Sequence, residues 1–109
     1  MKRGEVWTLA GGSHYGGKPR PVVIVQDDRF DEIVSITVCL LTSNTTQVQA
    51  FRLPVDPTEA SGLAQRSWLM ADKIMTVPKA RLGRRIGRLD DETMLRLNRA
   101  MLVFLGLAG

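Results

Sequence analysis

The chain is poor in the residues from which many active sites are built. Its 109 residues include one cysteine and one histidine, which cannot form a disulfide within the chain or a zinc site made of histidine and cysteine. The cysteine, Cys39, stands between Val38 and Leu40, and this position predicts an inert thiol in the core. The sequence also lacks paired catalytic carboxylates and a glycine-rich phosphate loop of the nucleotide-hydrolase type. We therefore expect no metal ion and no cofactor.

Long apolar segments are missing as well. The longest apolar run, Met101 to Leu105, is far shorter than the roughly 20 residues that span a bilayer. The chain begins Met1-Lys2-Arg3-Gly4-Glu5, and no apolar segment of signal-peptide length follows the basic pair. From the sequence we expect a cytoplasmic protein that makes no contact with a membrane.

The composition is that of an ordinary globular protein with an excess of positive charge. Hydrophobic residues make up 44% of the chain and charged residues 24%, and this length is typical of one domain, here residues 1–109. The formal net charge is +4. Basic residues outnumber acidic ones between Lys79 and Arg99. A basic face of this kind attracts nucleic acid or an acidic protein partner.

The hydrophobic pattern predicts short strands followed by one helix. Apolar runs, alternating or continuous, indicate strands over residues 5–9, 21–26, 35–42, 50–53, 67–77 and 84–89. Pro54 and Pro57 are expected to stop the fourth strand. Asp90 is a good N-cap, and apolar residues at helical spacing run from Met94 to Phe104. This pattern predicts a mostly β (α+β) fold, a small twisted barrel-like antiparallel sheet with a C-terminal helix on its flank.

Arg20 has the most constrained surroundings of any charged residue in the chain. Pro19 and Pro21 each fix φ and remove a backbone donor, and Pro21 also favours extended geometry at Arg20. The arginine is therefore expected to stand on a stiff segment at the start of a buried strand. A guanidinium held in this way suits bidentate recognition of a phosphate group.

Other polar residues stand where strands are predicted to end. Thr42 and Ser43 follow the third strand, where hydroxyl groups and backbone N–H groups can hold a phosphate oxygen, although both residues are also common in turns. Asp72 follows a nearly apolar run. It is a candidate general base, or it pairs with Lys73 or another cation.

The glycine-rich loop from Ala10 to Lys18 carries the single histidine and the single tyrosine. His14 is a candidate for proton transfer, because the ordinary pKa of histidine is about 6.5. Tyr15 either stacks on an unpaired base or holds the loop in place. A guanidinium, hydroxyls, an imidazole and a carboxylate suffice for one reaction without a metal: a base removes the proton of an RNA 2′-OH, and the oxygen attacks the adjacent phosphate.

In these residues the chain resembles the MazF/PemK toxin family of endoribonucleases. The matching segments occur in the order and spacing of that family and cover nearly the whole chain: RGEVW at 3–7, GKPRPVVIV at 17–25, LTS at 41–43 and ADKIMTV at 71–77. The resemblance implies an SH3-like barrel with a C-terminal helix, a homodimer, and sequence-specific cleavage of single-stranded RNA. It also implies 2′,3′-cyclic phosphate and 5′-OH products and a cognate antitoxin with an acidic tail.

The resemblance assigns roles to particular residues. Arg20, Thr42, His14 and Asp72 are the expected catalytic residues. The residues expected to bind RNA are Ser43, Tyr15, Lys18, Lys73 and Arg52. Three features depart from the family, one of them the unusual Lys18-Pro19 pair before Arg20. Many members have a glutamate at the position of Tyr15, and Met70 stands where PemK-type members have an arginine two residues before the aspartate, which excludes that arginine as the acid.

Two other functions remain open on the same fold. One is a CcdB-like poison that binds DNA gyrase and performs no chemistry, although such proteins use a C-terminal tryptophan and this chain ends Leu107-Ala108-Gly109. The other is a binder of RNA or peptide without catalysis, for which the change at Met70 is the argument. Intact Arg20 and Thr42 favour the ribonuclease.

Overall fold

The computed structural model describes residues 1–11, 18–44 and 51–108 of the protein. Within this part the strands are β1 Glu5–Leu9, β2 Arg20–Ile24, β3 Ser35–Thr42, β4 Arg52–Val55, β5 Ser67–Pro78 and β6 Leu82–Arg88, and the α-helix is α1 Asp91–Phe104. Short 3₁₀ turns lie at Asp28–Phe30 and Lys79–Arg81. The described strands form one antiparallel sheet in the order β4-β5-β3-β2-β1-β6. The predicted fold class, an antiparallel sheet with a C-terminal helix, is confirmed.

β2 is buried on both faces of the sheet, as its continuous apolar sequence predicts. Val23 packs into a cluster with residues of β1, β3, β5 and α1. Val22 and Ile24 point to the opposite face and pack with Ile36 and Val38. Because successive side chains of a strand alternate between faces, a run of apolar residues is needed where both faces are covered.

The segment after β4 lies against β6, at the opposite end of the strand order. Ala60 O accepts a hydrogen bond of 2.8 Å from Arg88 N. A Cβ atom at Gly62 would lie 1.8 Å from Ile86 O, and φ at Gly62 is +70°. Only glycine allows this approach with this backbone conformation. The two edges of the sheet are thereby brought together, which gives the sheet its barrel-like form.

The prediction that Pro54 stops the fourth strand was wrong. Pro54 lies inside β4, opposite Trp68 of β5. β4 pairs only with β5 and forms an edge of the sheet, where a residue without an N–H group is tolerated. The strand is consequently shifted by two residues from its predicted bounds of 50–53.

The helix begins as predicted, and its last turn is more exposed than predicted. The Asp90 carboxylate accepts a hydrogen bond of 2.7 Å from Thr93 N, and Met94 and Leu97 are buried. Phe104, expected on the buried face, is 46% exposed and has its ring 5.3 Å from that of Phe51. None of the helices in the described ranges is long and apolar enough to cross a membrane.

The basic stretch of residues 79–99 does not form one face. Arg84 and Arg85 are neighbours on β6 and therefore point to opposite sides. Arg85 Nε lies 3.4 Å from Glu5 Oε2, whereas Arg84 lines a surface cavity on another side of the sheet. Lys79 is paired with Asp31. Adjacent arginines on a strand point to opposite faces, so they cannot form a single basic surface.

Candidate active site

The register of β2 and β3 brings Arg20 and Thr42 to the same end of the sheet. Val22 lies opposite Leu40 in this antiparallel pair. Two residues beyond this pair, at the ends of the two strands, are Arg20 and Thr42. Arg20 is extended, as its two flanking prolines predict. Residues that are 22 positions apart in sequence thus become neighbours at a strand end.

Both side chains line one cavity, which we call the Thr42 cavity. Its volume is about 360 Å³. Its floor includes Leu41 of β3 and Met70 of β5, both of which are buried. The charged residues that line it in the described ranges are all cationic: Arg20, Arg52, Lys73 and Arg81. This lining favours an anionic ligand such as a phosphodiester.

A second cavity of about 420 Å³ lies on the other side of Arg20, and we call it the Ser43 cavity. Ser43 and Lys18 line it together with Thr8, Gln65 and Arg84. Thr42 and Ser43, consecutive in sequence, therefore belong to different cavities. Arg20 lines both, so a bound chain that occupied both cavities would pass this guanidinium.

The hydroxyl group of Thr42 is oriented by the backbone of the following loop. Its oxygen accepts a hydrogen bond of 3.1 Å from Asn44 N. A hydroxyl that accepts such a bond still has its own hydrogen to donate. The arrangement therefore presents Thr42 to the cavity as a donor, which suits an anionic oxygen.

Asp72 is paired with Arg52 and does not line either cavity. Arg52 Nη2 donates to Asp72 Oδ2 over 3.3 Å, and the two side chains are 19% and 16% exposed. The sequence left two pairings open for Asp72, one with Lys73 and one with another cation. The structure shows the second, with Arg52 as the cation. Asp72 Oδ1 and Arg52 Nε are buried and have no hydrogen-bond partner in the part of the chain that is described.

An irregularity in β5 separates Asp72 from its neighbours. Cys39 of β3 lies opposite Ile74, and Leu41 lies opposite Leu69, so that residues 70–73 of β5 face a single residue of β3. The extra residues bulge out of the ladder. Met70 and Lys73 then line the Thr42 cavity, while the carboxylate of Asp72 is directed to Arg52.

The loop that carries His14 and Tyr15 starts and ends at one place. A Cβ atom at Gly11 would lie 2.1 Å from Lys18 O, so the backbones at the two ends nearly touch. Arg81 Nη2 donates to Ala10 O over 3.2 Å and holds the first end against the 3₁₀ turn that precedes β6. His14 and Tyr15 lie outside the described residues, and their predicted roles stay predictions.

Arg81 and Arg84 were missed as site residues by the sequence analysis. The signal for both was the basic stretch in which they lie, but nothing in that stretch distinguishes a cavity residue from a solvated one. Arg81 joins the site through its bond to Ala10, and Arg84 through its position on β6. In residues 1–11, 18–44 and 51–108, no group of three or more His, Cys, Asp or Glu side chains could hold a metal ion.

Comparison with known proteins connects this arrangement to a family. Residues 2–105 match the family described as PemK-like, MazF-like toxin of type II toxin-antitoxin system. The chain is 50% identical over 109 residues, the full length of both chains, to the "Probable endoribonuclease MazF" of Mycolicibacterium smegmatis.

Solved structures show the same fold. A mycobacterial endoribonuclease, solved in complex with its cognate antitoxin, is similar with a TM-score of 0.81 at 25% identity, covering 100% of this chain and 98% of the other. A toxin MazF-mt6 of Mycobacterium tuberculosis is similar with a TM-score of 0.80 at 28% identity, covering 96% and 99% of the two chains.

Proposed function

This chain belongs to the family of PemK-like, MazF-like toxins of type II toxin–antitoxin systems, and from this membership we propose that it is an endoribonuclease that cleaves single-stranded RNA. The observation that carries the proposal is the Thr42 cavity. Arg20 and Thr42 line it together, its other charged lining residues are cationic, and an RNA strand is an anionic ligand. The endoribonuclease named among the relatives supports the same activity.

The proposed reaction is an attack of the RNA on itself. A base removes the proton of a 2′-OH, the oxygen forms a bond to the adjacent phosphorus, and the bond to the 5′-oxygen breaks as that oxygen takes up a proton. The products are a 2′,3′-cyclic phosphate and a 5′-OH. The RNA supplies its own nucleophile, so the protein has to move protons and stabilise the additional negative charge on the phosphate.

Arg20 is proposed to stabilise that charge and Thr42 to hold a phosphate oxygen. The guanidinium stands at the start of β2, in the wall between the two cavities. Thr42 is oriented as a donor by its bond from Asn44 N. Positively charged and hydrogen-bonding donors aimed at developing charge are usually the largest contribution to such a rate.

The proton transfer is proposed to rest on His14 of the Ala10–Lys18 loop. A general base has to reach the proton that it removes, and Asp72, the other candidate from the sequence, does not line the cavity. The other residues expected to contact RNA phosphates are Lys18, Arg52, Lys73 and Ser43. Tyr15 is proposed to stack on a base.

The proposed partners are a cognate antitoxin with an acidic tail and a second copy of the chain. A related endoribonuclease is solved with its cognate antitoxin, and an acidic tail would complement the cationic cavity. Exposed apolar side chains on the last turn of α1, among them Val103 and Phe104, support a dimer. An RNA substrate makes the cytoplasm the proposed site of action.

The test is cleavage of a long single-stranded RNA of defined sequence by the purified protein in EDTA, with both new ends mapped. We expect discrete fragments with cyclic phosphate and 5′-OH ends, loss of cleavage in Arg20→Ala, and a mass in sedimentation of twice the 12.1 kDa chain. Cleavage that disappears in EDTA and returns with a divalent ion would contradict the reaction. RNA binding without cleavage, or trapping of DNA gyrase on DNA, would replace the proposed function by one of its alternatives.

A further inference from the structure

We propose that Arg52 is a second residue that contacts the reacting phosphate in the Thr42 cavity, and that Asp72 is its positioning residue and not a base. The inference rests on the RNA cleavage proposed above and deepens it. In this inference Arg52 binds the reacting phosphate and is more than a general RNA contact. Asp72 positions Arg52 and does not accept the proton of the 2′-OH.

Arg52 reaches the cavity from the side opposite to Arg20. It lies directly opposite Met70 in the β4–β5 pair, and both residues line the cavity. Arg20 comes from β2, which is separated from β4 by β5 and β3 in the sheet. Two guanidinium groups that approach one cavity from strands so far apart can bind different oxygens of one phosphate, and each presents a rigid fork of donors.

The carboxylate of Asp72 is arranged to hold Arg52 and not to receive a proton from RNA. Oδ2 accepts the hydrogen bond from Arg52 Nη2, and Oδ1 is buried away from solvent. A base has to come within hydrogen-bond reach of the 2′-OH. Asp72 lies in the bulge at residues 70–73 and does not line the Thr42 cavity, so neither oxygen is placed to meet a 2′-OH bound there.

The burial of the pair explains what the carboxylate contributes. An exposed arginine samples many rotamers, and ordering it on a substrate costs side-chain entropy. Arg52 is only 19% exposed and is already fixed by Asp72 before any ligand arrives. A charge that is positioned in advance stabilises a transition state without reorganisation at the moment of reaction.

The chain offers a matched control for this pair. Arg29 Nη2 lies 3.2 Å from Asp27 Oδ2, so the same atoms meet at nearly the same distance. This second pair is 79% and 48% exposed and lines neither cavity. Substitutions there remove an arginine–aspartate pair without touching the proposed site.

The experiment is a double-mutant cycle measured by single-turnover cleavage over a range of pH. The variants are Arg52→Met, Asp72→Asn and the two combined, with Arg29→Met and Asp27→Asn as controls. Arg52→Met should lower the rate at saturating enzyme on the order of a hundredfold, as loss of one charge-stabilising donor does. Asp72→Asn should lower it by about tenfold, through misplacement of Arg52.

Two results carry the inference. Asp72→Asn should have no further effect once Arg52 is methionine, and its pH profile should keep both limbs of the wild-type profile. If Asp72→Asn lowers the rate equally in wild type and in Arg52→Met, the positioning role is wrong. It is also wrong if Asp72→Asn removes the limb of the pH–rate profile that reports the general base. Unchanged rates in Arg52→Met would overturn the role of Arg52. The control pair should leave rate and profile unaltered.

Folding and the proposed function are controlled separately. If a single substitution lowers the unfolding temperature strongly, the apolar replacement Arg52→Met with Asp72→Leu removes both charges together, and its rate should fall on the order of the hundredfold expected for loss of Arg52. Binding of 2′-O-methyl RNA, which has no nucleophile, should weaken in Arg52→Met. If wild type cleaves no RNA, the proposed function fails, and this binding assay still decides the phosphate contact. If wild type cleaves and the cycle is additive, the inference alone fails.

Discussion

Val22 of β2 lies opposite Leu40 of β3, and this register places Arg20 and Thr42 side by side at the end of the two strands. Both residues line the Thr42 cavity. The core of the sheet therefore determines the site: the apolar pairs Val22–Leu40 and Val23–Cys39 fix the register, and the register fixes which polar residues meet. Both faces of β2 are packed, so a slip of one residue would exchange the side chains on the two faces and disrupt the packing of each. The alignment at the site is therefore as well determined as the core.

The first prediction concerns whether Arg20 acts through its positive charge alone or also through its planar guanidinium group. Arg20→Lys should lower the single-turnover cleavage rate on the order of a hundredfold, close to the loss in Arg20→Ala, because an ammonium group retains the charge but loses the planar fork. Arg29→Lys, at an exposed arginine outside both cavities, serves as the control. A lysine variant with nearly wild-type rate would show that charge alone is needed at this position.

The second prediction concerns the dependence of RNA binding on salt. Each phosphate neutralised on a single strand contributes a slope of about −0.7 to the logarithm of the binding constant against the logarithm of salt concentration. Lys73 is exposed and lines the Thr42 cavity, so Lys73→Ala should flatten the slope by about that amount. Titration of 2′-O-methyl RNA at several salt concentrations measures it. An unchanged slope would remove Lys73 from the phosphate contacts.

How much of the fold followed from the sequence is clear in β3, whose predicted bounds of 35–42 coincide with Ser35–Thr42. Its apolar alternation and the polar residues after it are local signals. The pairing of Arg52 with Asp72 was not predictable, because it depends on the β4–β5 register and on a bulge at residues 70–73. Nothing local in the sequence marks either feature. Arg20 was predictable as a stiff extended residue, whereas its place between two cavities follows only from the assembled sheet.

The third prediction is a pH dependence of stability at Glu5. Burial by itself raises the pKa of this carboxyl, but the hydrogen bonds from Lys2 N and the Trp7 indole, together with the charge of Arg85, outweigh burial and hold the pKa below its ordinary value of 4.5. A lowered pKa gives stability that is present above the ordinary value and is lost as pH falls through the folded-state pKa.

Glu5→Gln should therefore be less stable than wild type at neutral pH, and the difference should narrow as the solution is made acidic. Glu5→Ala should cost about 1–3 kcal/mol at neutral pH, because it leaves two donors without their acceptor. Denaturant unfolding at several pH values checks both variants. A difference between wild type and Glu5→Gln that stays constant down to about pH 3 would contradict the assignment.

The fourth prediction separates two reasons why alanine destabilises a glycine position: backbone strain at positive φ and a steric clash of the Cβ atom. Gly62 and Gly106 both have positive φ, +70° and +73°, but a Cβ atom at Gly62 would meet Ile86 O at 1.8 Å, whereas nothing lies within 4 Å at Gly106. Gly106→Ala should cost about 1–2 kcal/mol, the strain of the left-handed conformation alone. Gly62→Ala should cost clearly more, since the segment must also move off β6. If thermal unfolding shows the same loss of stability for Gly62→Ala and Gly106→Ala, the backbone at Ile86 moves aside at little cost.

The fifth prediction concerns Cys39. Burial raises the pKa of its thiol to about 12, and its Sγ donates to Met70 O over 3.3 Å. The thiolate that reacts with disulfide reagents is therefore scarce in the folded protein. We expect labelling by a thiol reagent to follow the unfolding rate as denaturant is raised. Rapid labelling of the native protein would indicate that this part of the core opens on its own.

The near contact of Gly11 with Lys18 makes the intervening loop an exchangeable unit. A segment whose two ends are anchored at one point can be lengthened or rewritten without pulling on the strands, and the entropy cost of a longer closed segment grows only slowly with its length. Because the proposed stacking of Tyr15 on a base belongs to this loop, we expect changes here to alter RNA preference while β2 still presents Arg20 in the same place. Grafting the corresponding segment of a relative onto the Gly11–Lys18 anchor, with His14 retained, should then change which RNA the protein prefers while the framework stays the same.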